Sequence, residues 1–195
     1  MNIAKLPPLV RTGLNGAIVF GSVGLCLLLL PTRWPGMEIL GVGPSWLVMW
    51  TIAWSLRRSI WHAAGAGVVL GLIQDAMTFP MSATLGTIPT HVVSLTIVGV
   101  LTFVLYKRRY LDDTILSVSV GACLLTLVSE SITGVQYLLQ TAIEQSPALS
   151  LDSLSYLWTD RFIVVPIAAA LSGLWMPILY YPLQLWWQKW LQPQN

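Results

Sequence analysis

Charge is what this chain has least of. Only 9% of its 195 residues are Asp, Glu, Lys or Arg, where a soluble domain carries roughly 25%. A large soluble core is therefore excluded. Cysteine and histidine are scarce as well. Cys26 and Cys123 each sit inside an apolar run, and two isolated thiols suggest neither a disulfide nor a metal site. His62 and His91 fall at opposite ends of the membrane in the span assignment below, so they do not join in one metal site. No HExxH, GxSxG, P-loop or CxxC pattern is present. An enzyme is not expected, nor is any cofactor or metal. The basic run Lys107-Arg108-Arg109 reads as membrane-edge topology, so nucleic acid is not an expected partner.

What fills the chain is apolar: 55% hydrophobic residues, ten tryptophans and a mean hydropathy of +0.72. Backbone polar groups cannot stay unpaired in lipid, and these runs are far too long for barrel strands, so the spans are helices. The expected fold is an all-α integral membrane protein of one transmembrane domain, with six spans at about 14–31, 39–56, 60–77, 88–106, 114–140 and 162–181. A basic start before the first run resembles a signal peptide, but the run is long and no small-x-small cleavage site follows it. The second span is interrupted by Gly41, Gly43 and Pro44, and its unbroken part is short for a crossing of about 20 residues. It begins deep, or the chain before Pro44 enters the membrane non-helically against protein. Trp46, Trp50 and Trp54 make a stripe on it, read as packing or lipid contact.

Six spans make a charge prediction. With the N-terminus inside, Lys5, Arg11, Arg57, Arg58, Lys107, Arg108, Arg109 and Lys189 share the cytoplasmic side, leaving Arg33 and Arg161 outside. That is a positive-inside pattern, N-in and C-in. Asp112 and Asp113 suit the start of the fifth helix. A polar linker, 141–160, precedes the sixth span. After Pro182, Leu183, Trp186, Trp187, Trp190 and Leu191 fall on one helical face, so 183–192 reads as an amphipathic helix in the cytoplasmic interface.

Small residues recur every fourth position in the third span: Ala63, Gly67 and Gly71. Residues four apart share a helix face, and the next step along the row is Asp75. An acid in a last turn faces the negative end of the macrodipole, so this carboxylate needs a reason. It either reaches the interface, anchors the helix–loop corner or meets a partner. Gly13, Ala17 and Gly21 form a second row, a small-xxx-small surface open to close helix approach, from within the protein or from a partner. In the fifth span Ser119, Cys123, Thr126, Glu130, Thr133, Tyr137 and Gln140 alternate at steps of four and three. Glu130 lies about 24 Å along that helix from Thr114. One polar face implies a protein interior, a wet cavity or a partner, and an acid within a span is a functional-site candidate.

Three stretches resemble the bacterial rod shape-determining protein MreD family. They are the short Pro44-Ser45-Trp46 helix ending before a basic turn, the Gly71-Leu72-Ile73-Gln74-Asp75 end of the third helix, and the Pro80–Gly86 turn before an apolar span. The likeness covers the whole layout, and specific residues over about Pro44 to Val100. It implies a non-enzymatic member of the peptidoglycan elongation machinery in the inner (plasma) membrane, paired with an MreC-type single-span protein. Through that partner it would reach an MreB-type filament and the wall synthases. The family's fold is also similar to substrate-binding (S-component) subunits of vitamin transporters, which keeps a transporter subunit open as the alternative. The partner-facing residues expected are Gly13, Ala17, Gly21, Gly67, Gly71, Asp75, Pro80 and Gly86, with Glu130, Thr133 and Tyr137 as the intramembrane polar set.

Overall fold

The computed structural model describes residues 7–32, 36–78, 90–144 and 151–191. Six helices and no strand occur among them: α1 (Pro8–Leu29), α2 (Trp46–Ser55), α3 (Ile60–Thr78), α4 (Thr90–Lys107), α5 (Ile115–Glu144) and α6 (Leu151–Leu191). All except α2 are long and apolar enough to cross a membrane. The chain is an all-α membrane protein.

The short helix is the centre of the molecule. Ten residues at 1.5 Å each make α2 about 15 Å long, half of a ~30 Å hydrocarbon core. It packs against every other helix, and nine of its ten residues are buried. A helix that is apolar all round belongs inside protein. The tryptophan stripe is accordingly core and not lipid contact. Trp46 meets Trp175 of α6 edge-on, Trp50 stacks on Trp54, and Trp54 meets Trp187. Before α2 the chain does run non-helically. Ile39 and Val42 pair through two backbone hydrogen bonds of 3.0 Å, with Leu40 at φ 55° and Gly41 at φ 78° between them. Positive φ at both central residues is the mark of a type I′ turn.

Two sequence expectations change. Chain 151–160, expected as polar linker, is helical, and α6 does not stop at Pro182. It runs for 41 residues with Pro166, Pro177 and Pro182 inside it. Membrane helices tolerate proline because neighbouring elements stabilise the interrupted turn. The expected interfacial helix 183–192 is thus the end of α6 through Leu191. Its apolar side folds onto the protein, with Leu183 and Trp187 buried in the core. The fifth helix starts on Thr114, whose Oγ1 accepts from Ser117 N at 3.3 Å, so the cap is this threonine and not either aspartate.

Asp113 instead ties four helices together at the end bearing the arginines. Its carboxylate lies 2.7 Å from Arg57 Nη2, between α2 and α3, and accepts from Tyr106 of α4 at 3.3 Å and Tyr180 of α6 at 3.5 Å. Its backbone carbonyl accepts from Gln184 at 3.0 Å. Arg58 lies over the Trp54 ring, 4.4 Å from its centroid.

Candidate functional site

The α3 row is closed by the protein itself. α3 and α4 run antiparallel in the closest pairing of the fold, and a Cβ added at Gly67 would meet Leu95 O and Thr96 Cα at 2.6 Å. At Gly71 it would collide with the Val92 backbone. From the other side a Cβ added at Gly99 of α4 would meet the Ala63 carbonyl oxygen at 2.6 Å. Glycine allows two backbones to touch here, as small residues do between membrane helices. Gly67 and Gly71 are therefore internal seams, a correction to their reading as partner surface: no room is left for a second helix.

The same pairing gives Asp75 its reason. Antiparallel packing sets the last turn of α3 beside the first turn of α4, and Asp75 turns into that turn, 4% exposed. Its Oδ1 accepts from His91 N at 3.0 Å, its Oδ2 from Val92 N at 3.2 Å, and Thr90 Oγ1 donates to Oδ1 at 3.3 Å. The His91 ring joins through Nδ1, 2.7 Å from Oδ1. An α-helix leaves its first amides unbonded, and Asp75 caps those of α4 from another helix. The charge that opposes the dipole of α3 matches the positive end of α4. Of the alternatives open for Asp75, its contacts are those of an anchor at the helix corner. Pro80 and Gly86 lie outside the described residues.

Glu130 is held in a related way. Its Oε1 accepts from Ser45 Oγ at 2.9 Å, and Ser45 precedes the first residue of α2. Ser45 N in turn donates to Ser172 Oγ of α6 at 2.9 Å, and Ser172 Oγ donates to Ala168 O at 2.7 Å. The acid, two serines and three helices α2, α5 and α6 thus meet where α2 starts. Nearer its start the α5 polar face turns toward α6: Ser119 O and Cys123 Cβ stand 3.0 and 3.1 Å from a Cβ placed on Gly173. Thr126 is buried, Thr133 Oγ1 bonds back to Ser129 O at 3.1 Å, and Tyr137 is exposed at the far end. Glu130, Thr133 and Tyr137 share one face of α5, and the contacts described for Glu130 run to Ser45.

On α1 the small-residue row has no partner among the described residues. Gly13, Ala17 and Gly21 are exposed, and a Cβ added at either glycine meets nothing within 4 Å. α1 touches the bundle chiefly through α2.

A cavity of about 240 Å³ opens at the end opposite the arginines. The short α2 leaves it room: among the described residues, the hairpin segment lies above the first turn of α2, between the end of α1 and the end of α3. Leu29, Leu30, Met37 and Trp46 supply apolar wall; Glu38, Ser45 and Gln74 supply the polar part. Ser45 is committed to Glu130, and Glu38 has an interaction of its own. Gln74 Oε1 is buried without a hydrogen-bond partner. Sequence reasoning passed over Gln74, Ser45 and Ser172; the one signal available was Ser45 directly before an apolar helix, a capping position. Among the described residues no group of His, Cys, Asp and Glu could hold a metal ion.

Fold and site define a multi-pass helical membrane protein whose intramembrane acids are used at helix starts. The chain matches no family model, no curated protein and no solved structure.

Proposed function

We propose that this protein is a non-enzymatic membrane scaffold that binds a partner's transmembrane helix along α1. The observation that carries the reading is the unoccupied row at Gly13, Ala17 and Gly21, on a helix that leaves most of its surface outside the bundle. In lipid, association rests on close backbone approach, which such a row allows. The acids support the reading by their engagement: Asp75 and Glu130 hold helix starts in place. The resemblance to the MreD family supplies the partner: an MreC-type single-span protein of the inner membrane, with an MreB-type filament and the wall synthases behind it. Co-purification with that partner tests the proposal. Substituting Gly13, Ala17 and Gly21 by Leu abolishes co-purification and leaves the melting temperature of the protein unchanged. Retained binding sinks the assignment to α1.

A substrate-binding subunit of a small-molecule transporter is the second reading, favoured by the cavity beside Gln74. A vitamin that raised the melting temperature in a ligand screen would support it, since binding only the native state stabilises that state.

A further inference from the structure

The turn that ends α4 carries a cation where glycine fits better. Tyr110 N donates to Leu105 O at 3.0 Å, and Arg109 N to Tyr106 O at 3.1 Å. This pair of bonds is the Schellman ending of a helix, whose first residue beyond the cap is left-handed and usually glycine. Here it is Arg109, at φ 59°. A Cβ in that conformation crowds the following carbonyl, so arginine strains a turn that glycine forms freely. Local strain of this kind clusters where a side chain is needed for function. The turn is also fixed in place. Leu111, buried beside it, fits against Gly121 of α5, where an added Cβ would collide with its side chain.

What the strained position gains is charge. Lys107, Arg108 and Arg109 are consecutive and all exposed. Lys107 Nζ lies 5.9 Å from the Phe103 ring centroid, and none of the three forms an ion pair among the described residues. The acids on the same turn are Asp112 and Asp113. Asp113 is taken by Arg57, Tyr106 and Tyr180. Asp112 is exposed and likewise forms no ion pair among the described residues, so three cations face one opposing charge. Their complement is an anion, and a guanidinium holds phosphate oxygens with paired N–H donors.

Depth decides between a dissolved anion and one in the membrane. Both α3 and α4 are long and apolar enough to cross it. They pair so that a Cβ on Gly99 would meet Ala63 O, which sets Trp61 beside about Leu101. Leu101 lies about 9 Å along α4 from Lys107. Trp61 is 83% exposed and Tyr110 74%. Exposed Trp and Tyr near the ends of membrane helices sit at the membrane–water interface. With Trp61 at that level, the three cations stand at the height of lipid phosphates.

We propose that the Lys107–Arg109 turn binds the phosphate of an anionic phospholipid, with Arg108 and Arg109 donating to it and Trp61 and Tyr110 holding this end of the bundle at the interface. The site is independent of the scaffold reading, because it uses the turn after α4 and none of the α1 row.

Native mass spectrometry of the intact protein, released from an amine-oxide detergent, tests it. The probes are phosphatidylglycerol, phosphatidylcholine with the same chains, glycerol 3-phosphate and hexaglutamate. Phosphatidylglycerol is expected to be retained in preference to phosphatidylcholine. Arg109→Gly is expected to lower that preference about fivefold, the worth of one cation near an anionic surface. Arg108→Gln with Arg109→Gln is expected to lower it roughly twentyfold, for two cations. Arg109→Gly removes the strain together with the charge, so its melting temperature is kept or raised and lost lipid is not lost fold. Lys5→Gln with Arg11→Gln removes the same charge elsewhere in the sequence and is expected to keep the preference. Equal retention of the two lipids overturns the proposal, as does a preference unchanged in both arginine variants. An equal fall in the Lys5 and Arg11 variant also overturns it, because net charge and not a site is then at work. Glycerol 3-phosphate competing as well as the lipid overturns it in favour of a soluble phosphate. Hexaglutamate competing as well overturns it in favour of an acidic protein segment.

Discussion

Replacing Asp75 by Ala removes the acceptor that closes the first turn of α4. Three donors lose their partner at once: the amides of His91 and Val92 and the hydroxyl of Thr90. They lie where α3 and α4 pack backbone to backbone, so water replaces the carboxylate poorly. A lost N-cap costs ~1 kcal/mol, within 0.5–2. The lost interaction of a carboxylate with a helix N-terminus adds about 0.3–1 kcal/mol, and more when partly buried. Because these contributions overlap, the net loss is expected to be about 2–4 kcal/mol, with a buried amide left unsatisfied at ~1–3 kcal/mol as the largest part. Asp75→Asn keeps the shape and one acceptor, and loses about half as much. The assay has two readouts: the melting temperature in detergent, and amide hydrogen exchange resolved along α4. Exchange should rise at residues 91–94 and stay unchanged near Thr102, because the cap acts on the first turn. If Asp75→Ala leaves both the melting temperature and exchange at 91–94 unaltered, the capping account is wrong. Loss of partner binding in a variant of unchanged stability would then return Asp75 to the docking surface.

Three further outcomes separate seams from open faces. Gly71→Ala is expected to destabilise by at least ~1–3 kcal/mol, since its Cβ meets the Val92 backbone and not a yielding side chain, while Gly21→Ala leaves the melting temperature within error. Paired thermal melts of the two variants check this. Arg57→Ala and Asp113→Ala are expected to couple by about 1 kcal/mol in a double-mutant cycle, between the worth of surface and buried pairs, because both side chains are partly exposed. Additive losses would mean that the tyrosines, not the arginine, hold Asp113. Leu40→Gly relieves a left-handed leucine and is expected to stabilise by up to ~1 kcal/mol after the added freedom of the unfolded chain is counted; a lower melting temperature would show that the exposed side chain packs against something.

Much of the architecture is a property of each segment taken alone, and so is readable in sequence. Whether a run is apolar and long enough for a helix depends only on its own residues, which is why the helical class and the five long helices were foreseeable. The short second helix with its irregular lead-in was legible too, because Gly41, Gly43 and Pro44 act locally. Periodicity likewise placed Ala63, Gly67, Gly71 and Asp75 on one face. It could not say what covers that face. The answer, the backbone of α4, follows from pairing two helices, and a partner's surface is not written in the spacing of the residues that meet it. Glu130 shows the same limit over a longer reach, since its partner Ser45 is 85 residues away and Ser172 is 127 from Ser45. Pro182 misled because the rule against proline in a helix describes an isolated helix, and here Leu183 and Trp187 dock on the core. The sequence by itself determined the helices, their apolar character and the faces on which acids and small residues stand. Tertiary structure alone decided that the α3 row is a seam and the α1 row is open. The reason is physical: a macrodipole or a close backbone contact is satisfied between elements, and only their packing says which end meets which charge.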